Sequence, residues 1–560
     1  MEKNATDSPN SSGRRQGEFN PKFNFSQFQN STQGNQPEPE DGIQPEDILH
    51  DAAQFKPKKA LLHSEVLRKL SEQIKKLDFQ ALAFPEAENL REKIKQLEDK
   101  LTNPDGSSNN NPALANEREE CKDLRKELER LRLTQKIFIV LSIENVLRLA
   151  EENRWGLCKN HDFIFLYNGR FWTEIDKEGF QKFLGEGAEK MGVAKFSARF
   201  YQFREQLFKQ FLAAAYLPTP ERNKDKVLIN LQNGTFEIST QGTKLRPFDS
   251  SDFITYQLPF DYNPEAKAPL FEAYLNKVLP DPERQRVLAE FLGYVFIKHT
   301  SKALKEEKAL ILYGKGANGK SVLFEIVISL FGRENVSSYS PQSLTEEKGF
   351  YRATIANKLL NCASEINGKM ETSLFKAMVS GEPVEACLKY GQPFTMEDYA
   401  KFMFNCNELP KDVEHTNAYF RRFLIIPFDV TIPEHEQDKT LHSKIIESEL
   451  SGVFNWVLEG LQRLLSQKRF SECKAAQQAV EQYKIESDSV QMFLNDLGYG
   501  VSHITEIPSK EMFKEYKDYC QESGFKHCST RSFSDRLKHS GYLISRKNFG
   551  MVVGAEKKNI

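Results

Sequence analysis

Gly314, Lys315, Gly316, Ala317, Asn318, Gly319, Lys320 and Ser321 complete the spacing G-x-x-x-x-G-K-S. Glycines at the first and sixth positions let backbone N–H groups close on phosphate oxygens, and a helix starting there adds the positive end of its dipole. The lysine reaches terminal phosphates and the hydroxyl beside it suits Mg2+. All eight are candidate contacts for ATP and Mg2+; a glycine-rich turn without a ligand is the plainer alternative. Binding alone does not hydrolyse, so a carboxylate is needed near the γ-phosphate. Glu365 follows the apolar run 359–363 and is the candidate to orient water and, with Ser321, support the ion; a surface glutamate after a strand is the alternative. A third apolar run ends in Asn405 and Asn407 before Pro410, and an amide at a strand tip can bond both a γ-phosphate and an attacking water. Arg421 and Arg422 precede a fourth run. They are either a solvated surface pair or an arginine finger that reaches a neighbouring subunit's nucleotide.

These groups need a scaffold that brings strand tips together. The run 309–313 has strand character, while Val322, Leu323, Ile326, Val327 and Leu330 fall on one helical face that stops at Gly332. The loop is therefore expected between a strand and a helix.

The rest of the chain sets limits. At 560 residues it exceeds one hydrophobic core and implies several domains. The balance of 77 basic against 79 acidic residues excludes bulk basicity as a route to nucleic acid and leaves only local patches. Residues 1–56 carry 5 basic and 9 acidic side chains, whereas 501–560 carry 11 and 7. Eight cysteines without a C-x-x-C give no zinc ribbon or disulfide framework. No stretch reaches the roughly 18 apolar residues of a membrane span, so a soluble, cytoplasmic protein with no membrane partner is expected. Residues 1–42 hold no Val, Ile or Leu and read as a disordered tail. Leu67, Leu70, Ile74 and Leu77, then Leu90, Ile94, Leu97 and Leu101, make heptad stripes. Asn168-Gly169 and Asn233-Gly234 mark hairpins. Near the end, two amphipathic helices precede two short strands that meet at 546–548, a winged-helix pattern. Ser529, Thr530, Arg531, Arg536 and Lys538 would then face a duplex, with Arg546 and Lys547 on the wing; protein contact is the alternative.

Taken in order, GKGANGKS, LLNCASE, LFKAMVSGEPVEACLKYGQPF, FNCNELP and AYFRRFLIIPF resemble the motifs of superfamily 3 helicases. The nearest likeness is to the phage and plasmid primase-helicases that include the poxvirus primase-helicase. It covers about 225–430 well and runs weakly to 555. The resemblance implies an AAA+ type ATPase ring, usually a hexamer, that moves on single-stranded DNA. It implies Lys320 on the phosphates, Glu365 as the Walker B carboxylate, Asn407 as the sensor and Arg421 or Arg422 as the finger. Ser364 stands where an acid is usual. The segment 376–394 matches a motif leading into a channel hairpin, which makes Lys376, Lys389 and Tyr390 candidate DNA contacts, cations for phosphate and an aromatic for stacking. Ala386 replaces a frequent basic residue there, and a solvated turn at 389–391 is the alternative.

The expected fold is multidomain α/β plus α. A disordered tail (1–56), a helical, coiled-coil-like segment (57–135), an α+β segment (136–226) and a helical domain (227–300) precede a P-loop ATPase (301–430). A helical lid or linker (431–485) and a winged-helix domain (486–556) follow. The expected activity is ATP-dependent DNA unwinding in replication of a phage, plasmid or other mobile element. A DNA-stimulated ATPase that loads or initiates without unwinding, and a nucleotide-gated scaffold, are the alternatives. Expected partners are single-stranded DNA, duplex origin DNA, further copies of the chain and a separate primase or other replication protein. The chain has no Asp-x-Asp, the usual two-metal pair of a primase site, so primer synthesis is not expected of it.

Overall fold

The computed structural model describes residues 61–557 except 104–108, 110, 161–162, 216–225, 240–241, 365, 367–369, 390–391 and 411–412. The expected tail, Glu365 and Tyr390 lie outside the described residues.

The first part is helical: α1 (His63–Gln73), α2 (Phe79–Ala83), α3 (Glu86–Leu101), α4 (Ala115–Arg130) and α5 (Gln135–Glu152). A small antiparallel sheet follows, β1 (Gly156–Asn160), β2 (Phe163–Tyr167) and β3 (Trp172–Glu174), then α6 (Lys177–Met191), α7 (Lys195–Arg199) and α8 (Tyr201–Ala214). The first heptad stripe does not build a coiled coil. Val66 and Leu70 of α1, with Ile74 just after it, share one buried core with Ile143 and Val146 of α5, Phe180 and Leu184 of α6, and Phe203 and Phe211 of α8. A heptad stripe states only that one face seeks apolar cover, and here the same chain supplies it. Helices α3 and α4 pack as a helical hairpin, with Arg125 Nε donating to Glu98 at 3.1 Å.

The domain expected to be helical opens with an antiparallel meander, β4 (Val227–Leu231), β5 (Gly234–Ser239) and β6 (Gly242–Arg246), whose first turn is the expected hairpin at Asn233-Gly234. Its helices come later, α9 (Pro269–Val278) and α10 (Pro282–Tyr294), each with proline in the first turn, where the missing N–H costs nothing.

A five-stranded parallel sheet is the centre of the molecule. In chain order its region contains β7 (Ala309–Tyr313), α11 (Lys320–Phe331), β8 (Val336–Ser337), α12 (Pro341–Leu344), α13 (Phe350–Ala353), β9 (Leu360–Ala363) and α14 (Thr372–Val379). The hairpin β10 (Val384–Cys387) and β11 (Pro393–Met396) comes next, then β12 (Lys401–Cys406), α15 (Asn417–Phe420) and β13 (Phe423–Pro427). The strands lie in the order β13-β7-β12-β9-β8, all parallel. Both faces are covered, which is why these strands read as unbroken apolar runs. Leu310, Leu312, Met403, Leu424 and Ile426 face a core with α9, α10 and α11. Ala309, Ile311, Phe402, Phe404, Phe423 and Ile425 face the other, with Phe375 and Met378 of α14.

The helices expected as a lid are structural. They are α16 (Leu441–Ser448), α17 (Leu450–Gln467) and α18 (Lys474–Ser487). Leu461 of α17 packs so closely on α10 that a Cβ on Gly293 would stand 2.6 Å from its own Cβ, and one on Gly460 would stand 2.6 Å from the Ala289 carbonyl oxygen. Helix α18 covers the edge strand β13 through Tyr483, edge-on to Phe420 and Phe423. A last module has its own core: α19 (Ser489–Asp496), β14 (Tyr499–Pro508), α20 (Ser509–Glu522), α21 (Thr530–His539), β15 (Ile544–Lys547) and β16 (Gly550–Lys557), with an antiparallel sheet ordered β14-β16-β15.

Candidate nucleotide site and its neighbours

The loop 314–321 leaves the carboxyl end of β7, second from the edge of the sheet, and enters α11 at Lys320. Its path needs three left-handed backbones, at Gly316 (φ 61°), Ala317 (φ 52°) and Gly319 (φ 84°). A side chain at Gly319 would also meet Val278 at 2.7 Å, and one at Gly314 would meet the Phe428 carbonyl at 2.5 Å. The loop is braced from outside. Tyr274 of α9 donates its hydroxyl to the Gly319 carbonyl at 2.8 Å, and the backbone N–H of Ile432 donates to the Ala317 carbonyl at 2.7 Å. The Asn318 amide donates to the Phe428 carbonyl at 3.1 Å. Motif spacing marks neither Tyr274 nor Ile432.

Lys320 is buried and turned into the loop, its Nζ donating to the Gly314 carbonyl and, at 3.0 Å, to Asn318 Oδ1. Burial holds its ammonium below the ordinary lysine range. Both partners are neutral acceptors, so the cation has no counter-ion inside the loop, while Lys315, Gly316, Ala317 and Ser321 are exposed. Such a cradle fits a polyphosphate: unfilled space at Gly316, a buried unneutralised cation and a helix amino end converge.

Neighbouring strand tips come to the same edge. The Gly314 N–H donates to the Cys406 carbonyl at 3.2 Å and the Phe428 N–H to the Tyr313 carbonyl at 2.7 Å, so the ladder runs on past the regular strands. Asn407 is thereby one residue beyond the bond that opens the loop, and it is exposed. Asn405, half-buried, pairs in register with Leu312. Ser364 is exposed one residue past β9, at this same sheet edge.

Arg421 and Arg422 sit at the opposite edge, ahead of β13. The Arg422 carbonyl accepts from the N–H of Ala309, the first residue of β7. A five-residue strand spans roughly 16 Å, so neither arginine serves the loop of its own chain. The two then part company. Arg422 is buried and spends its guanidinium on Ser380 Oγ (2.7 Å), the Lys376 carbonyl (3.2 Å), the Ala418 carbonyl and Glu307 (3.5 Å); the expectation that it reaches another subunit is corrected. Arg421 has a side chain 58% exposed and one ion pair, to Glu307 at 3.1 Å.

Lys376 also differs from expectation. It is held between both Glu414 oxygens at 2.9 Å, and that bond keeps the Glu414 carboxyl below its usual range. The β10–β11 hairpin leaves Lys389 exposed at its tip. Phe394 on this hairpin stacks edge-on against Phe163 of β2, 5.3 Å between centroids.

In the last module Ser529 caps α21, accepting from the Ser532 N–H at 3.2 Å, and Thr530 and Arg531 open that helix, exposed. Arg536 does not face outward as expected; it donates to Asp488 at 3.0 Å. Lys538 is exposed beside Asp535. Arg546 and Lys547 end β15, Lys547 paired with Glu506 at 3.0 Å. Phe549, 75% exposed in the turn that follows, was not anticipated as part of this tip.

Comparisons with known proteins follow the same division. Three family models match: "D5 N terminal like" over 146–280, a family of unknown function, DUF5906, over 312–422, and "Poxvirus D5 protein-like" over 485–559. Two D5-type models thus flank the parallel-sheet region, and over those segments the chain is similar to the phage-type primase-helicases. Among curated proteins the chain is similar to "Putative helicase L207/L206" of Acanthamoeba polyphaga mimivirus, 26% identical over 255 residues. That match takes in 42% of this chain and 25% of the mimivirus protein, so the chain spans about a quarter of that relative's length. Among solved structures, the A form apo structure of the NrS-1 C terminal region aligns with 74% of this chain and 99% of its own, at a TM-score of 0.43 and 13% identity. A second apo structure of the same region (305–718) gives 74%, 98%, 0.43 and 14%. Placed on the family models, the 312–422 match runs from inside β7 to Arg422 and so holds the loop, both strand tips, the hairpin and the arginine pair.

Proposed function

We propose that the chain is an ATP-dependent DNA helicase of superfamily 3, acting in replication of a phage, plasmid or other mobile element, with no primase active site of its own. The observation that carries this reading is the loop of Lys320 on a parallel sheet ordered 5-1-4-3-2 by chain position, with Asn407 one residue past the bond that opens the loop. The matches to the two D5-type models support it from outside the geometry.

In this reading the loop amides and Lys320 hold the phosphates of ATP. Glu365 takes a proton from water, whose oxygen attacks the γ-phosphorus as the bond to the β–γ bridging oxygen breaks. Asn407 orients that water, and Arg421 of an adjacent copy neutralises charge on the leaving group. Mg2+, held by Ser321 and Glu365 when bound, neutralises phosphate charge. Lys389 and Tyr390 on the hairpin contact single-stranded DNA, and the last module, ordered helix-strand-helix-helix-strand-strand, is a winged helix with Arg531, Arg546 and Lys547 toward duplex DNA. The natural state is a ring, hexameric in this reading, in the cytoplasm.

ATP-dependent strand displacement on a forked duplex tests the proposal, with Lys320→Ala as the inactive control. Strong DNA-stimulated hydrolysis without displacement would replace the helicase by a loader. Hydrolysis no greater than in Lys320→Ala would leave a nucleotide-gated scaffold.

A further inference from the structure

Among the described residues five large aromatic side chains are exposed, and three of them fall within six positions: Phe196 (89%), Phe200 (49%) and Tyr201 (67%). The folding core does not use them. Helix α7 is anchored by buried Ala198 alone, and α8 fills the core with Phe203, Leu207 and Phe211. Phe196 and Phe200 are four apart, so they share one side of the chain here, and Phe200 meets the Tyr201 ring edge-on at 5.0 Å. Cations are threaded through the same stretch. Lys195, Arg199 and Arg204 all act on one carboxylate, Glu189, which Arg199 grips at 2.8 and 3.1 Å. With Glu186 as the other acid acting on Arg199, the patch keeps a positive excess.

We infer that this face of α7 and the start of α8 is a docking surface for single-stranded nucleic acid. Its stacking side chains are interleaved with cations as the bases of a strand are interleaved with phosphates, the pairing that single-strand binders use without reading sequence. An apolar protein partner would leave these cations facing an uncharged surface, so charge complementarity favours the polyanion. The site lies outside the parallel sheet, its hairpin and the last module, and it stands whether or not the nucleotide reading does.

The test is fluorescence anisotropy of a labelled oligothymidylate bound to the full chain without nucleotide. Phe196→Ala together with Phe200→Ala and Tyr201→Ala is expected to weaken binding about tenfold or more, stacking being sequence-tolerant but strong. Lys195→Glu is expected to flatten the dependence of affinity on salt. Phe196→Ala alone changes a side chain that touches little, so it reads the site even if the triple variant unfolds. Affinities within twofold of the parent for Phe196→Ala and for a folded triple variant would overturn the proposal. So would unchanged affinity with a smaller particle in sedimentation, because the patch would then join copies of the chain. ATP turnover without DNA reports separately on Lys320: a chain with no turnover that still loses affinity on Phe196→Ala keeps this proposal and removes the other.

Discussion

Arg421 and Arg422 are neighbours in sequence with opposite fates. Arg422→Ala removes donors from Ser380 and two carbonyls in a buried place, and should lower unfolding stability by about 3 kcal/mol, read as a lower urea midpoint. Arg421→Ala should stay within about 0.5 kcal/mol of the parent and still depress ATP turnover of the assembled protein. Mixing Arg421→Ala subunits with Lys320→Ala subunits should recover part of that turnover, since an intact shared site can form at mixed interfaces; no recovery in oligomers shown to be mixed would remove the finger. Lys401, at the start of β12, gives a pH prediction. Fully enclosed, its ammonium meets Tyr294 Oη (3.1 Å), the face of the same ring and His299 Nδ1 (2.9 Å), with Asp398 the favourable charge nearby, and burial lowers its pKa to about 7. The folded state therefore releases a proton that the unfolded chain keeps up to the ordinary lysine value, and stability should rise with pH above about 7. His299, also held neutral by burial, makes stability fall as pH drops below the ordinary histidine value. Lys401→Met should flatten the alkaline rise, measured as urea midpoint against pH.

At the scale of elements the close crossing of α10 on α17 has a direct test. Gly460→Ala puts a methyl group against the Ala289 carbonyl and should lower the urea midpoint by the equivalent of about 1–3 kcal/mol, as overpacking does, while a change on an exposed face of α17 should not. This crossing also marks where the sequence stopped being readable. The strands of the parallel sheet were legible because strands buried on both faces have few polar residues, and the loop was legible because its chemistry demands a fixed spacing. The role of α17 was not, because an amphipathic stripe names an apolar face without its partner, and that partner lies far back in the chain. The same blindness hid the pairing of Lys376 with Glu414, 38 residues away, and of Arg536 with Asp488. A lysine in a motif and a lysine in an ion pair look alike until the fold is known. Tyr274 divides in the same way: its ring is core, and its hydroxyl belongs to the site.

For the molecule as a whole the near-balance of charge now has a physical reading. Several cations of the parallel-sheet region are spent internally, as in Lys376, Arg422 and Lys401, so contact with a polyanion rests on fewer side chains than the count suggests. Particle mass by light scattering should increase when an ATP analogue and single-stranded DNA are added together, and Arg421→Ala should weaken that increase; a single-copy particle under all conditions would exclude a shared nucleotide site. The joining of α10 to α17 has a further consequence, for biosynthesis. The apolar faces of α9 and α10 are made well before the helix that covers them, and at usual elongation rates of about 5–20 residues per second they wait on the order of ten seconds or more. Throughout that interval the growing chain carries a large uncovered greasy surface on the ribosome. A slow codon stretch placed ahead of α17 would lengthen the exposure and should raise the fraction lost to aggregation, whereas the same stretch placed after α18 should not.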